Sequence, residues 1–389
     1  MRKSFIVFLL GLYIFMGGGL SVNAEEATVE LADQATSAIL IERDTGEVLY
    51  EKNSKEELPP ASMTKVMTML LIMEAIDSGK ITWDEKVRTS ERAASMGGSQ
   101  IFLEPGEEMT VEEMMKGIAI ASGNDASVAM AEHLAGSEEQ FVHLMNEKAK
   151  ELGLENTNFV NSNGLPGENH YSSASDLAKM AQALLKYEEI TKYTSLYEDY
   201  LREDSEDKFW LVNTNKLVKF YPGVDGLKTG FTREAKYCLT ATANKKGMRI
   251  IAVVMGAPTP KDRNRQITEM LDYAYSQYEL QRRYERGDLL GEAKVSKGNT
   301  VTVPVQAAEN ISLLLKKGES LDGVTERLDL TQPVAAPVKK GDPIGKLYIE
   351  KNGDVLTETV VVAQEEVGEA SLWTLIKRTT SILVGKNAF

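Results

Sequence analysis

The chain has 389 residues, 44 Lys+Arg against 58 Asp+Glu for a formal net charge of −14, and 42% hydrophobic with 26% charged residues. That composition is globular and long enough for two domains; it excludes a disordered chain and a general nucleic-acid binder, which needs a positive surface. With Cys238 as the sole cysteine no internal disulfide can form, so the fold must stand on its apolar core.

Arg2 and Lys3 precede an apolar run from Phe5 to Met16, and Gly17 to Ala24 ends on "VNA", a small-x-small cleavage pattern. Residues 1–24 read as a secretory signal peptide, because the run is shorter than the roughly 20 residues a membrane span needs. "TSAILIERDTGEVLYEKN" (36–53) alternates on both sides of Asp44-Thr45-Gly46 and predicts a hairpin. Helical patterns follow over 62–79, 110–121, 125–135, 138–152 and 172–190, with Ser172 and Ser173 as caps of the last. Strands are expected at 226–232, 237–243 and 249–256, then a helix at 264–281. A hairpin, many helices, three strands and a closing helix make a sheet flanked by helices.

After residue 287 the texture changes to short β-rich segments separated by Gly and Pro, with Asn352-Gly353 as a type I′ hairpin signal. A small all-β domain is expected at 288–367, which leaves 25–282 for the first domain. The last stretch, 371–389, places Leu372, Leu375, Ile376, Thr379, Ile382 and Leu383 on one helical face. Lys377, Arg378, Ser381 and Lys386 lie largely on the other, with Trp373 flanking the apolar side. A basic amphipathic helix with Trp suits a membrane surface; the competing expectation is a helix packed on the β domain.

Chemistry must then be sought among few candidates. Cys238, in the alternating run "KYCLTATA", reads as a small buried residue. His133 and His143 sit in helical patterns. No H-E-x-x-H, paired Cys/His ligands or G-x-S-x-G occurs, so neither a zinc peptidase nor an α/β-hydrolase is expected, and no metal or cofactor is indicated. "PPASMTKVMTML" (59–70) puts Ser62 and Lys65 three residues apart, hence side by side on a helix. Met63, Val66, Met67, Leu70 and Met73 form a stripe along that helix, so the Ser62/Lys65 edge should border the core. Pro59-Pro60 suits a first turn, and a serine there gains from the positive helix end when anionic. The same S-x-x-K spacing recurs at Ser205 and Lys208, among Glu203, Asp204, Glu206 and Asp207, and reads there as solvated surface.

A serine needs a base, and lysine serves if neutral. Moving its pKa from about 10.4 to roughly 7–8 asks about 3–4 kcal/mol of its environment, which burial and a second cation can supply. Lys228 in "DGLKTGFT" is a candidate second cation; Thr229 offers a hydroxyl, and Gly230 would let a ligand backbone approach. Between these stretches lies "ASGNDAS", with Ser122-Gly123-Asn124 at the end of an apolar helix, where Asn124 and Asp125 could equally cap the next one.

The ordered set Ser62-x-x-Lys65, Ser122-x-Asn124 and Lys228-Thr229-Gly230 resembles the penicillin-binding protein and serine β-lactamase superfamily. The flanks "LPPASMTKVMT", "FLEPGEEMTVEEMMKGIAIASGNDASVAMAEHLAGSEEQFV", "LGLENTNFVNSNGL", "HYSSASDLAKM" and "VDGLKTGFT" resemble exported D-alanyl-D-alanine carboxypeptidases over roughly residues 30–275. The resemblance implies a mixed α/β catalytic domain of β-lactamase/transpeptidase-like type, with an antiparallel sheet flanked by helices and the small β domain behind it. It implies Ser62 as nucleophile and Lys65 as base. Ser122 and Lys228 would relay the proton to the leaving D-alanine. Asn124 would orient Lys65 and bind the substrate peptide group, Thr229 the substrate carboxylate, and the backbone N–H groups of Ser62 and Phe231 the oxyanion. The substrate would be a peptidoglycan stem peptide ending in D-Ala-D-Ala, with β-lactams as covalent inhibitors and residues 371–389 holding the enzyme at the outer face of the cytoplasmic membrane. His170, in a loop bordering the site, and Arg263 are weaker candidates to face substrate. A β-lactamase and a non-catalytic penicillin- or peptidoglycan-binding module compete with this reading. S-G-N in place of S-D-N, and Glu168 as the sole acid of the loop "NGLPGENHYSS", argue against the first; the intact relay argues against the second.

Overall fold

The computed structural model describes residues 30–203 and 205–383, without side-chain detail for 381–383, so the expected signal segment 1–24 and the end of the C-terminal helix lie outside the described residues. The expected hairpin forms from β1 (Ser37–Glu42) and β2 (Val48–Lys52). A 3₁₀ turn at Ala61–Thr64 runs into α1 (Lys65–Asp77), and a small hairpin follows, β3 (Lys86–Arg88) with β4 (Glu108–Thr110), enclosing α2 (Glu91–Ala94). Four helices follow, α3 (Val111–Ala119), α4 (Asn124–Ala135), α5 (Glu138–Glu151) and α6 (Ala174–Leu184). Caps set their starts: Thr110 and Glu113 close a capping box on α3, and Ser137 and Ser173 accept N–H groups of α5 and α6. Short pieces α7 (Thr191–Thr194), β5 (Glu198–Leu201), β6 (Phe209–Val212) and α8 (Leu217–Phe220) lead to β7 (Val224–Thr232), β8 (Lys236–Lys245), β9 (Met248–Ala257) and α9 (Pro260–Gln277).

The five-stranded sheet has the order β2-β1-β9-β8-β7, antiparallel throughout, with β7 at an edge. Successive side chains point to opposite faces. Ile39, Ile41, Cys238, Ile251 and Val253 therefore pack toward α1 and its neighbours, while Ala38, Leu40, Leu239, Ala241 and Ile250 pack toward α9. Burial on both faces explains why "IIAVVM" (250–255) is a continuous apolar run.

Two expectations change. The stripe on α1 predicts a half-buried helix, yet Lys65 to Leu70, Ile72, Met73 and Ala75 are all buried, since α1 lies between the sheet and α3, α4, α5 and α6. The predicted helix 264–281 runs instead from Pro260, capped by Thr259, to Gln277. Tyr278 turns extended because residues 278–284 form β10 and pair with Lys316 to Ile311. The remaining strands are β11 (Leu289–Ser296), β12 (Thr302–Ala307), β13 (Ile311–Lys316), β14 (Val324–Leu330), β15 (Val334–Ala335), β16 (Pro343–Lys351) and β17 (Asp354–Ala363), and they enclose a separate core of Val303, Val305, Leu313, Ile349 and Val361. Asn352 and Gly353, at φ 52° and 95°, make the expected turn between β16 and β17. α10 (Leu372–Leu383) ends the described chain.

Candidate active site

Pro60 precedes the 3₁₀ turn that carries Ser62, and Lys65 is the first residue of α1. The Lys65 side chain is fully buried. Its Nζ lies 2.6 Å from Asn124 Oδ1, 2.7 Å from the Asn163 carbonyl and 3.2 Å from Ser62 Oγ. The first two partners only accept. Asn124 Oδ1 is fixed toward the lysine because Asn124 Nδ2 donates to the Gly97 carbonyl at 2.7 Å. A neutral amine has two hydrogens and one lone pair. Asn124 and Asn163 take the hydrogens, and the lone pair is left for the Ser62 hydroxyl. Burial, then the charge of Lys228, push the Lys65 pKa well below its ordinary value, with Asp125 opposing them. The positive end of α1 acts in the same direction as burial.

Ser122 sits at φ 65°, in the left-handed region, between α3 and α4. Its hydroxyl is buried and makes no hydrogen bond among the described residues. Lys228 is buried on β7, its Nζ 3.2 Å from the Thr229 carbonyl; burial and the nearby Arg263 lower its pKa to about 7. Thr229 Oγ1 donates to Thr214 Oγ1 at 2.7 Å. Gly230 differs from its expected role. A Cβ there would lie 2.8 Å from the Pro60 carbonyl, so the missing side chain admits this protein's own serine-bearing turn against the strand. Phe231 is exposed and stacks on Tyr237, ring centroids 4.4 Å apart.

The loop 157–171 closes the other side. Gly164, at φ 86°, comes so close to Ala61 that a Cβ would lie 1.8 Å from its carbonyl oxygen. A cavity of about 670 Å³ opens beside Ala61, walled by Pro59, Leu165, Glu168, Tyr171 and Thr232. His170 is mostly buried and braces the loop, while also lining this cavity. Its Nδ1 accepts the Val160 N–H at 3.0 Å, so Nε2–H donates to Thr64 Oγ1 at 2.8 Å, and burial lowers its pKa to about 4. Glu168 is exposed at the loop tip. Arg263 is buried with its guanidinium on Asn264 Oδ1, and no carboxylate pairs with it among the described residues.

The second S-x-x-K match is surface, as expected: Ser205 donates to the Arg202 carbonyl, and Lys208 Nζ lies over the Tyr200 ring. Cys238 is buried and its thiol is pushed up to about 11. His133 and His143 face Glu85 and Glu147. The contributions of Asn163, Gly97 and Thr214 were not anticipated. The first two act through main-chain carbonyls, which carry no residue signature; only the Asn-Gly turn signal at Asn163-Gly164 hinted at a tight loop.

The family model described as D-alanyl-D-alanine carboxypeptidase matches residues 22–259, and that of the penicillin-binding protein 5 C-terminal domain matches 278–369. D-alanyl-D-alanine carboxypeptidase DacF of Bacillus subtilis (strain 168) is 59% identical over 97% of this chain and 98% of its own. The crystal structure of penicillin-binding protein 5 from Haemophilus influenzae is similar with a TM-score of 0.69 and 31% identity, covering 86% of this chain and 98% of that one. Penicillin-binding protein D2 from Listeria monocytogenes, in its ampicillin-bound form, is similar with a TM-score of 0.55 and 30% identity over 61% of this chain and 96% of its own.

Proposed function

The chain belongs to the D-alanyl-D-alanine carboxypeptidase family, and from that premise we propose that Ser62 is the nucleophile of a serine carboxypeptidase acting on peptides ending in D-Ala-D-Ala. The observation that carries this is the buried Lys65 Nζ, paired with no carboxylate among the described residues, within hydrogen-bonding distance of two fixed acceptors, Asn124 Oδ1 and the Asn163 carbonyl, and of Ser62 Oγ. Lys65 takes the Ser62 proton as Oγ attacks the penultimate D-Ala carbonyl. The C–N bond to the last D-alanine breaks, and its nitrogen receives the proton by way of Lys65 and the Ser122 hydroxyl. Water then cleaves the ester. The Ser122 hydroxyl, buried and without a hydrogen-bond partner among the described residues, and Lys228, whose pKa is lowered to about 7, suit a relay that becomes complete when substrate is present.

Thr229 with Thr214 offers hydroxyls for the substrate carboxylate, and the buried charge of Arg263 favours an anion nearby. The backbone N–H groups of Ser62 and Phe231 are assigned to the oxyanion, where one donor contributes about 3–4 kcal/mol. β-Lactams enter by the same attack, in line with the ampicillin-bound similar structure. Against a β-lactamase reading, no carboxylate is paired with Lys65 among the described residues: Glu168 is exposed, and the Asn163 backbone carbonyl accepts from Lys65 Nζ. Slow release of penicillin follows. The 25–282 and 288–367 division and the export of the mature chain are part of this reading, as is attachment of 371–389 to a lipid surface.

Labelling with penicillin followed by peptide mass mapping tests the assignment. The adduct is expected on the peptide containing Ser62; an adduct at Ser205, or none, would remove Ser62 from the mechanism.

A further inference from the structure

Asp125 is a buried carboxyl that the steps above do not use. It is the second residue of α4, directly after Asn124. Three backbone N–H groups donate to it: Ile101, at 3.1 and 3.0 Å to its two oxygens, Leu103 at 3.2 Å, and Ala126 at 2.9 Å. The segment 97–103 so held turns back onto Asn124. Its Gly97 carbonyl accepts the Asn124 amide, and its Ser99 carbonyl accepts the Asn124 N–H at 2.7 Å. From outside, Arg202 donates to the Ile101 and Phe102 carbonyls, both at 3.1 Å, while paired with Glu107. The fit is close, since a Cβ on Gly98 would lie 2.8 Å from Asn124 Nδ2 and one on Gly123 2.9 Å from Asp125 Oδ1.

We propose that Asp125 is a positioning residue for acylation, which holds Asn124 against Lys65 through the segment 97–103 and opposes the charge of Lys228 at the Lys65 amine. The inference rests on Lys65 being the base. Two charged groups act on the Lys65 amine, Lys228 from β7 and Asp125 from α4. The loop 157–171 contributes the Asn163 carbonyl and a neutral His170. Glu138 of α5 is spent on Ser162 and Arg92, Asp176 of α6 on Asn156 and Thr157, and Lys116 of α3 on Asp199. Asp125 thus sets a negative charge against the lowering of the Lys65 pKa by burial and Lys228. A base with too low a pKa is always free but accepts the proton weakly, and one with too high a pKa is occupied.

The test is the second-order rate of acylation by a fluorescent penicillin from pH 5 to 10, for wild type, Asp125→Asn and Arg202→Met, with circular dichroism to verify folding. Wild-type labelling at Ser62 comes first; its failure would sink the base assignment and not this inference alone. D125N is expected to lose tenfold or more at the plateau and to move the acidic limb to lower pH, because removing the anion lowers the Lys65 pKa. R202M loosens the same segment without touching that charge, so its rate should fall with the limb unmoved. A folded D125N with the wild-type rate, or with a lower rate and an unmoved limb, overturns the proposal. If D125N does not fold, Asp125→Glu keeps the charge on a longer arm. Its rate should fall with the limb held, and a limb displaced to lower pH would overturn the proposal.

Discussion

At the scale of single residues, the site is a problem of keeping one buried amine neutral. Burial alone would lower a lysine pKa, but burial also isolates it; here the two acceptors on Lys65 orient the lone pair as well as satisfying the hydrogens. Lys65→Arg keeps the volume and fixes the charge, since arginine stays protonated in proteins. D-alanine release and penicillin acylation should both fall at least a thousandfold in folded K65R, assayed by amine detection and by adduct mass; near-normal turnover would refute a lysine base. Lys228→Ala probes the electrostatics with a defined sign. Below its pKa of about 7, Lys228 is charged and disfavours protonation of Lys65. Without it the Lys65 pKa rises, so the acidic limb of acylation should move to higher pH, opposite to D125N. A limb that stays in place or moves down would mean that Lys228 acts only as a relay.

At the scale of elements, the question is how a turn, a helix, a strand and a loop come together at one hydroxyl. The three motifs were legible in the sequence because each carries its chemistry on side chains with fixed spacing, and the structure brings Ser62, Lys65, Asn124 and Asn163 within hydrogen-bonding range. What was not legible depends on backbone. Ser62 lies on a 3₁₀ turn and not on the α-helix proper, and Gly230 serves chain packing. The sequence pattern carries the helix past the true end of α9 into "YELQRRY", and pairing with β13, distant in sequence, overrides that local preference. Gly164 is the sharpest test of the loop. An alanine would carry an unfavourable positive φ and drive its methyl into the Ala61 carbonyl. The cost is about 1–3 kcal/mol of strain, or loss of the loop from the turn. Gly164→Ala should melt several degrees lower and acylate at least tenfold more slowly, because Asn163 would no longer hold Lys65. Thermal melting and the acylation rate measure both, and an unchanged rate would show that the Asn163 carbonyl is dispensable.

At the scale of the whole molecule, a chain of net charge −14 over the full sequence carries a last stretch, 371–389, with no acidic residue, and the proposal is that this stretch meets a lipid surface. No described helix is long and apolar enough to cross a membrane. On α10, Leu372, Trp373 and Ile376 are 75%, 65% and 45% exposed, while Leu375 is half-buried. The basic face is partly engaged, in line with the competing expectation of a helix packed on the β domain. Arg378 donates to the Gly298 and Asn299 carbonyls at 2.6 and 2.8 Å, tying the helix to the β domain, while Lys377 lies 5.4 Å from the centre of the Trp373 ring. One side of the helix is thus tied to the β domain, as the competing expectation has it, and Leu372, Trp373 and Ile376 are left exposed; a lipid surface for them is part of the proposal. If these residues meet lipid, they carry the attachment. Each free basic residue would add roughly 1 kcal/mol on an anionic surface, weakened by salt. Deleting 371–389 should abolish cosedimentation of the mature protein with anionic vesicles and leave release of D-alanine from a small peptide unchanged. Trp373→Ala with Ile376→Ala should weaken binding at any salt concentration. Arg378→Ala should bind vesicles about as well as wild type, because its guanidinium is already occupied by the protein. Equal partitioning of full-length and truncated protein would mean that the exposed face meets something other than lipid, and the attachment would have to be sought elsewhere in the chain.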